Sequence, residues 1–197
     1  MRSAFLCLMA CLVLPAVSRA QAPLFKISQE DSSINFSVKA SVALEGKFEK
    51  WEASLTFPST AVSTGVIDIK INADSVDTGS GMKDGKLKSK DFFNVKDDPY
   101  ITFHSSKIVQ TGPTTFDLPG TFTIRGVSKP ETLTFTLADM AAAKAAGEGE
   151  VKGTMAFDRK EYGMNSGIPF IKIADRVEVT VNLKAKRVSG PPLVLKQ

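Results

Sequence analysis

The chain has 197 residues, with 25 basic and 21 acidic side chains, one histidine and two cysteines. A net charge of +4, spread along the chain, gives no strong case for a nucleic-acid surface. One histidine also leaves little material for metal sites or base-assisted nucleophiles.

The opening "MRSAFLCLMACLVLPAVSRAQAP" places Arg2 before an apolar run from Ala4 to Val17, followed by small residues at Ser18 and Ala20. This pattern predicts a secretory signal peptide over residues 1–20, too short and wrongly flanked for a spanning helix. A lipoprotein signal ending at Cys11 is the weaker alternative, because it would strand "LVLPAV" after the modified cysteine. Cleavage near Ala20 would deliver the protein to the periplasm or the exterior. It would remove Cys7 and Cys11, so that no thiol or disulfide remains. Loss of Arg2 and Arg19 leaves 23 basic residues against 21 acidic ones. The rest is long enough for one sizeable core, read as a single domain over 21–189 with a tail, "GPPLVLKQ", over 190–197.

Period-two alternation then dominates. "LFKIS" opens the series, and "SINFSVKA" puts Ile34, Phe36 and Val38 on one face. "ASLTF" follows with Leu55 and Phe57, and "VIDIKIN" with Ile67, Ile69 and Ile71. "YITFHSS" places Ile101 and Phe103 inward, "TFTIRG" Phe122 and Ile124, and "TLTFTLA" Leu133, Phe135 and Leu137. "VKGTMAFD" contributes Val151, Met155 and Phe157, and "RVEVTVNLKA" contributes Val177, Val179, Val181 and Leu183. Such alternation predicts half-buried antiparallel strands, eight or nine of them, in an all-β sandwich or barrel. "PST", "TGP", "LPG" and "RGVSKPE" read as turns, with Pro130 at a turn or a strand's first residue. Residues 140–150 read as a long hairpin connection with at most one helical turn.

One segment breaks the period. Over 79–97, "MKDGKLKSKDFFNV" supports a helix with Ser80 as its N-cap. At about 100° per residue, Met82, Gly85, Ser89, Phe92 and Phe93 share one face. Lys83, Lys86, Leu87 and Lys90 fall opposite, and Asp84 precedes Lys88 in the favourable order for an ion pair. The phenylalanines are then anchors under a basic outer surface.

Sites of chemistry are scarce. His104 points outward from its strand, and the neighbouring Ser105 faces the other way, so the pair does not make a nucleophile and its base. "TGSGMKDGK" lacks the spacing of a phosphate loop. Twelve phenylalanines lie beyond the leader, and a small barrel lined with them is either filled or holds one ligand.

Four stretches resemble one family, in order. "SSINFSVKA" is similar to its early S-S-V-x-F-S-V-K strand. "SVDTGSGMKDGKLKSKDFFNVKDDPYITFHSSKI" resembles its basic helix, S-x-D-F-F-D-V run and following strand. "GTFTIRGVSKPETLTF" resembles its G-x-L-T-I-x-G-V-T-K-P-x-x-L hairpin, and "FDRKEYGMN" with "IADRVEVTVNLKA" its closing motifs. On these, residues 24–187 are identified as similar to the YceI-like, polyisoprenoid-binding family. The resemblance implies an extended, lipocalin-like antiparallel β-barrel with one short helix, and a binder without catalytic residues. It implies a long isoprenoid lipid or prenyl quinone as ligand and no other cofactor or metal. The implied walls are Phe36, Phe92, Phe93, Phe103, Phe122, Phe135, Phe157, Tyr162 and Met164, with Lys83, Lys86 and Lys88 at the headgroup or mouth. Transient membrane contact and homodimerisation are compatible with it; nucleic acid is not expected. Asp31 stands where the family often has histidine, "KLKS" replaces H-L-R-S, and "SVALEG" is shorter than the usual loop. A filled barrel serving in structural or stress-related interactions is the alternative.

Overall fold

The computed structural model describes residues 22–41, 44–139, 147–167 and 172–195. Within them the strands are β1 (Leu24–Ala40), β2 (Leu44–Phe48), β3 (Trp51–Thr56), β4 (Val66–Asn72), β5 (Val76–Asp77), β6 (Tyr100–Ser105), β7 (Val109–Gln110), β8 (Thr115–Ile124), β9 (Val127–Leu137), β10 (Glu148–Asp158) and β11 (Ile173–Ser189). Eight of them, in the order β1-β3-β4-β6-β8-β9-β10-β11, close on themselves through antiparallel pairing of β11 with β1. Closure removes most of the free sheet edge. The outliers extend the wall: β2 and β5 continue from the end of β1, and β7 pairs with β8.

The alternating residues do face inward: Ile34, Phe36, Ile67, Ile69, Ile71, Phe103, Phe122, Leu133, Phe135, Met155 and Val181 are all buried in one core. The segmentation differs in three places. "LFKIS" and "SINFSVKA" belong to one strand; the polar "QEDS" between them is a bulge, where the ladder to β11 jumps from Ser28 to Ser33. "LPG" lies inside β8, not at a turn, with Pro119 opposite Thr132 and Gly120 opposite Glu131. Pro130 lies inside β9, opposite Thr121. This is tolerated because β9 pairs with β10 only along Thr134–Leu137, so Pro130 withholds no donor from a second neighbour. The actual turn is Arg125-Gly126, both at positive φ (54° and 69°), as a two-residue hairpin of matching twist requires.

Small residues seat large rings. A Cβ on Gly153 would come within 2.4 Å of the Phe135 ring, and one on Gly46 within 2.6 Å of Phe36. The glycines are therefore the sockets that let these phenylalanines lie flat against the barrel wall. Residues 140–146 of the expected long connection, and 42–43 of "SVALEG", lie outside the described residues; Leu44–Gly46 of that loop already belong to β2.

The helix is shorter than expected. α1 spans Gly81–Lys88, and tight turns follow to Asp98. Ser89 Oγ donates to the Lys86 carbonyl, Phe93 N–H to Leu87, and Asn94 takes a positive φ of 54°, which ends the helical path. The break resets the phase of the face. Leu87 is buried, whereas Met82 is 84% exposed, the reverse of the uninterrupted-helix expectation. Phe92 and Phe93 remain inward. Ser80 holds the N-cap position without a side-chain bond, and Asp84 accepts from the Thr78 amide and hydroxyl rather than pairing with Lys88.

Candidate functional site

Two apolar cavities lie along the barrel. The first, beneath the helix, encloses about 60 Å³; Leu87, Phe92 and Phe93 cover it and Phe36, Phe122 and Phe157 are among its walls. The second encloses about 160 Å³ and includes Phe57, Val62, Ile108, Phe135 and Val151. They occupy opposite ends. β1 meets the second at Phe25 and the first at Phe36, and β11 meets the first at Val177 and the second at Ala185. β8 runs from Phe116 at the second to Phe122 at the first. Buried residues that line neither cavity lie between these points, among them Ile34, Phe103, Leu118, Leu133, Met155 and Val181, with Ser105 as a buried polar side chain whose hydroxyl is bonded to backbone carbonyls. They form a mainly apolar partition across the barrel.

The sequence-derived wall residues divide accordingly. Phe36, Phe92, Phe93, Phe122, Phe157 and Met164 converge on the helix-end cavity, and Phe135 on the far one. Phe103 belongs to the partition rather than to either wall. Tyr162 is fully buried behind the helix-end cavity, its ring 5.6 Å from Phe122 and 5.2 Å from Phe157. It stands on a 3-10 turn, Arg159–Tyr162, and its hydroxyl donates to Glu131 Oε1 at 3.2 Å, bridging the open stretch between β9 and β10. Burial, and then the Glu131 carboxylate, push the Tyr162 hydroxyl well above its ordinary value of 10.0.

That shift has a signed consequence. The unfolded chain ionises this tyrosine near pH 10, whereas the folded chain keeps the proton. The stability it contributes is complete below pH 10 and falls as pH rises further. In thermal melts, Tyr162→Phe is expected to show a shallower alkaline decline than the unsubstituted protein. Equal declines would place the titrating group elsewhere.

Arg159 also borders the helix-end cavity and is buried. Each nitrogen of its guanidinium is engaged: Nε donates to the Ala174 carbonyl at 3.1 Å, Nη1 to those of Met164 and Ser166, and Nη2 to Asp175 Oδ1 at 3.0 Å. Asp175 is held below the usual carboxylate range, first by its bond from Lys160 and then by the Lys160 and Arg159 charges. In the sequence Arg159 stands out only as part of the "FDRKEYGMN" resemblance, which assigns it no role. Arg125, at the hairpin tip, donates to the Lys90 and Gly163 carbonyls and so ties the segment after α1 to the Tyr162 turn.

The lysines do not converge on the cavity. Lys86 Nζ sits 2.5 Å from Asp91 Oδ2 and 5.9 Å from the Phe92 ring centroid. Its hydrogen bond and charge hold the Asp91 carboxyl low. Lys88 lies 3.4 Å from Asp74 Oδ1, and Lys83 is half-exposed. An anion arriving there would meet two cations already partnered. Asp31 is on the outer surface, accepting from Ser28 Oγ and facing Lys184 at 3.6 Å, away from both cavities.

His104 is exposed and 2.7 Å from Asp68 Oδ1, a partner on β4 that only the strand register reveals. Ser105 is buried, its hydroxyl committed to the Pro119 and Lys107 carbonyls. The two therefore do not form a nucleophile and base. Among the described residues, no three His, Cys, Asp or Glu side chains gather as a metal site would require.

The sequence profile of the YceI-like domain matches residues 25–185. The chain belongs to the YceI-like family. A UPF0312 protein of Pseudomonas aeruginosa is 33% identical over 159 residues, 74% of this chain and 78% of that protein. Among solved YceI-like and related barrels, BcnA of Burkholderia cenocepacia superposes with a TM-score of 0.70 at 25% identity, over 81% of this chain and 99% of BcnA. A structure described as a polyisoprenoid binding domain, from Saccharophagus degradans, superposes with a TM-score of 0.63 at 16% identity, over 84% and 99% of the two chains. That last likeness is one of fold.

Proposed function

We infer that this YceI-like barrel is a binding protein, not an enzyme, that shelters a long isoprenoid or similar lipid chain after export to the periplasm or exterior. The observation that carries this is the alignment of two apolar cavities at the ends of one barrel, with mainly apolar side chains between them and the one buried hydroxyl there, Ser105, turned to backbone carbonyls. Support comes from the Saccharophagus degradans relative, described as a polyisoprenoid binding domain. Each five-carbon unit moved out of water gains about 3–4 kcal/mol, at roughly 0.8 kcal/mol per methylene-sized group. A multi-unit chain thus needs shelter in an aqueous compartment, and a dry barrel supplies it for transport, storage or presentation at a membrane.

Because Lys86 and Lys88 are already paired, the reading favours a neutral prenyl alcohol or prenyl quinone over a prenyl phosphate. Organic extraction of the purified protein followed by mass spectrometry is expected to yield a prenyl compound near one per protein. Empty extracts, together with no rise in melting temperature on adding prenyl alcohols, would overturn the reading. They would favour a filled barrel in a structural or stress-related role, to which the continuous partition lends weight.

A further inference from the structure

A cavity of about 160 Å³ is close in size to the engineered protein cavity of ~150 Å³ that takes up benzene. It has room for about one isoprene-sized unit. What closes it on the far side is not a strand of the barrel. After β11 the chain reverses at Gly190 (φ +81°), where a Cβ would come within 2.6 Å of the Ala22 carbonyl oxygen. The next residues, Pro191–Leu195, cross the barrel end, and Pro192, Leu193 and Leu195 border the cavity.

This strap is lightly held. Val194 N–H donates to the Thr60 carbonyl at 2.8 Å in a single bridge beside Ala61. Arg187 Nη1 donates to the Gly190 carbonyl at 2.6 Å. Pro191 and Pro192 have no N–H to add. By contrast, β10 and β11 pair continuously from Glu148 to Asp158. The strap is thus a thinly held part of the enclosure, and with Val62 and Ile108 it is one of the non-strand pieces that border the cavity. "GPPLVLKQ", expected as a mere tail, supplies a wall.

We propose that Leu193 and Leu195 are the end stop of the binding barrel and set the longest prenyl chain it encloses. This rests on the chain-binding reading above. A chain entering under the helix displaces the partition, fills the far cavity and stops against the strap. Each added unit then strengthens binding only until the stop is reached.

The test uses a series of prenyl alcohols that differ by one isoprene unit, measured by competition and by melting-temperature shift on the full protein. The unsubstituted protein is expected to show affinity rising about tenfold or more per unit, then a plateau. In Leu193→Ser with Leu195→Ser the plateau moves to a longer chain. In Leu193→Phe, which thickens the stop and keeps the strap apolar, it moves to a shorter one. The second variant decides the matter where the first folds poorly. A plateau unmoved in Leu193→Phe overturns the end-stop assignment but leaves chain binding standing. Failure of every alcohol to bind the unsubstituted protein overturns both.

Discussion

Replacing Arg159 by methionine is expected to cost about 3 kcal/mol, read as a lower denaturant midpoint at unchanged slope. The side chain is 7% exposed, and four of its five N–H groups reach three carbonyls and one carboxylate. Methionine keeps most of the stem and removes every donor. The Met164 carbonyl is left buried without its partner, while Ser166, Ala174 and Asp175 are open enough to recruit water, which keeps the loss below the sum of separate bonds. Asp175→Asn is expected to cost under about 1 kcal/mol, since Asp175 is 37% exposed and solvent screens its attraction to Arg159 and Lys160. The ordering of the two variants is the check: equal losses would mean that the ion pair, not the carbonyl bonds, holds the turn. Because Met164 lines the helix-end cavity, Arg159→Met should also weaken any chain bound there.

Phe93→Ala is expected to cost about 3–4 kcal/mol and to loosen the cover of the helix-end cavity. The ring is buried and lies 5.8 Å from Phe48 and 6.4 Å from Phe36, so truncation removes apolar burial and two aromatic contacts together. Phe93→Leu keeps most of the volume and should cost under about 1.5 kcal/mol. Amide exchange over 81–98 distinguishes a cover from ordinary core. In Phe93→Ala these amides should lose protection at free energies well below global unfolding, while those of β10 and β11 keep theirs. Uniform loss would make Phe93 a core residue like any other.

Both substitutions fall where sequence reasoning was uneven. The phenylalanines of "KDFFNV" were legible as anchors because aromatic pairs in a charged stretch have few other uses. The phase of the preceding helix was not legible, because Ser89 and Asn94 break it and a wheel drawn through the break misplaces Met82 and Leu87. Inward positions such as Ile34, Phe122 and Met155 could be read directly, since alternation is a local property of an extended chain. The bonding of Arg159, the pairing of His104 with Asp68, and the division of the interior by Phe103 and its neighbours depend on register between distant strands. No local pattern encodes them. Prolines misled for a related reason: Pro119 and Pro130 look like breaks, yet each falls where its strand locally lacks a second partner. Pro119 lies between the β7 and β6 pairings of β8, and Pro130 beyond the β10 pairing of β9, so the absent N–H is not needed.

That missing neighbour has a further consequence for solubility. From Val127 to Leu133 one side of β9 has no strand partner, although the barrel is closed elsewhere. Such a flank is a template on which a second polypeptide can extend the sheet, most dangerously in a crowded compartment while the chain is still folding. Pro130 interrupts the row of donors at its middle, Lys129 and Glu131 put charge on either side, and Lys129 is held 3.1 Å from Glu161 of the covering turn. The side chains that read as a turn in the sequence thus occupy the positions at which a proline and flanking charges disfavour further strand addition, on the flank that closure leaves open.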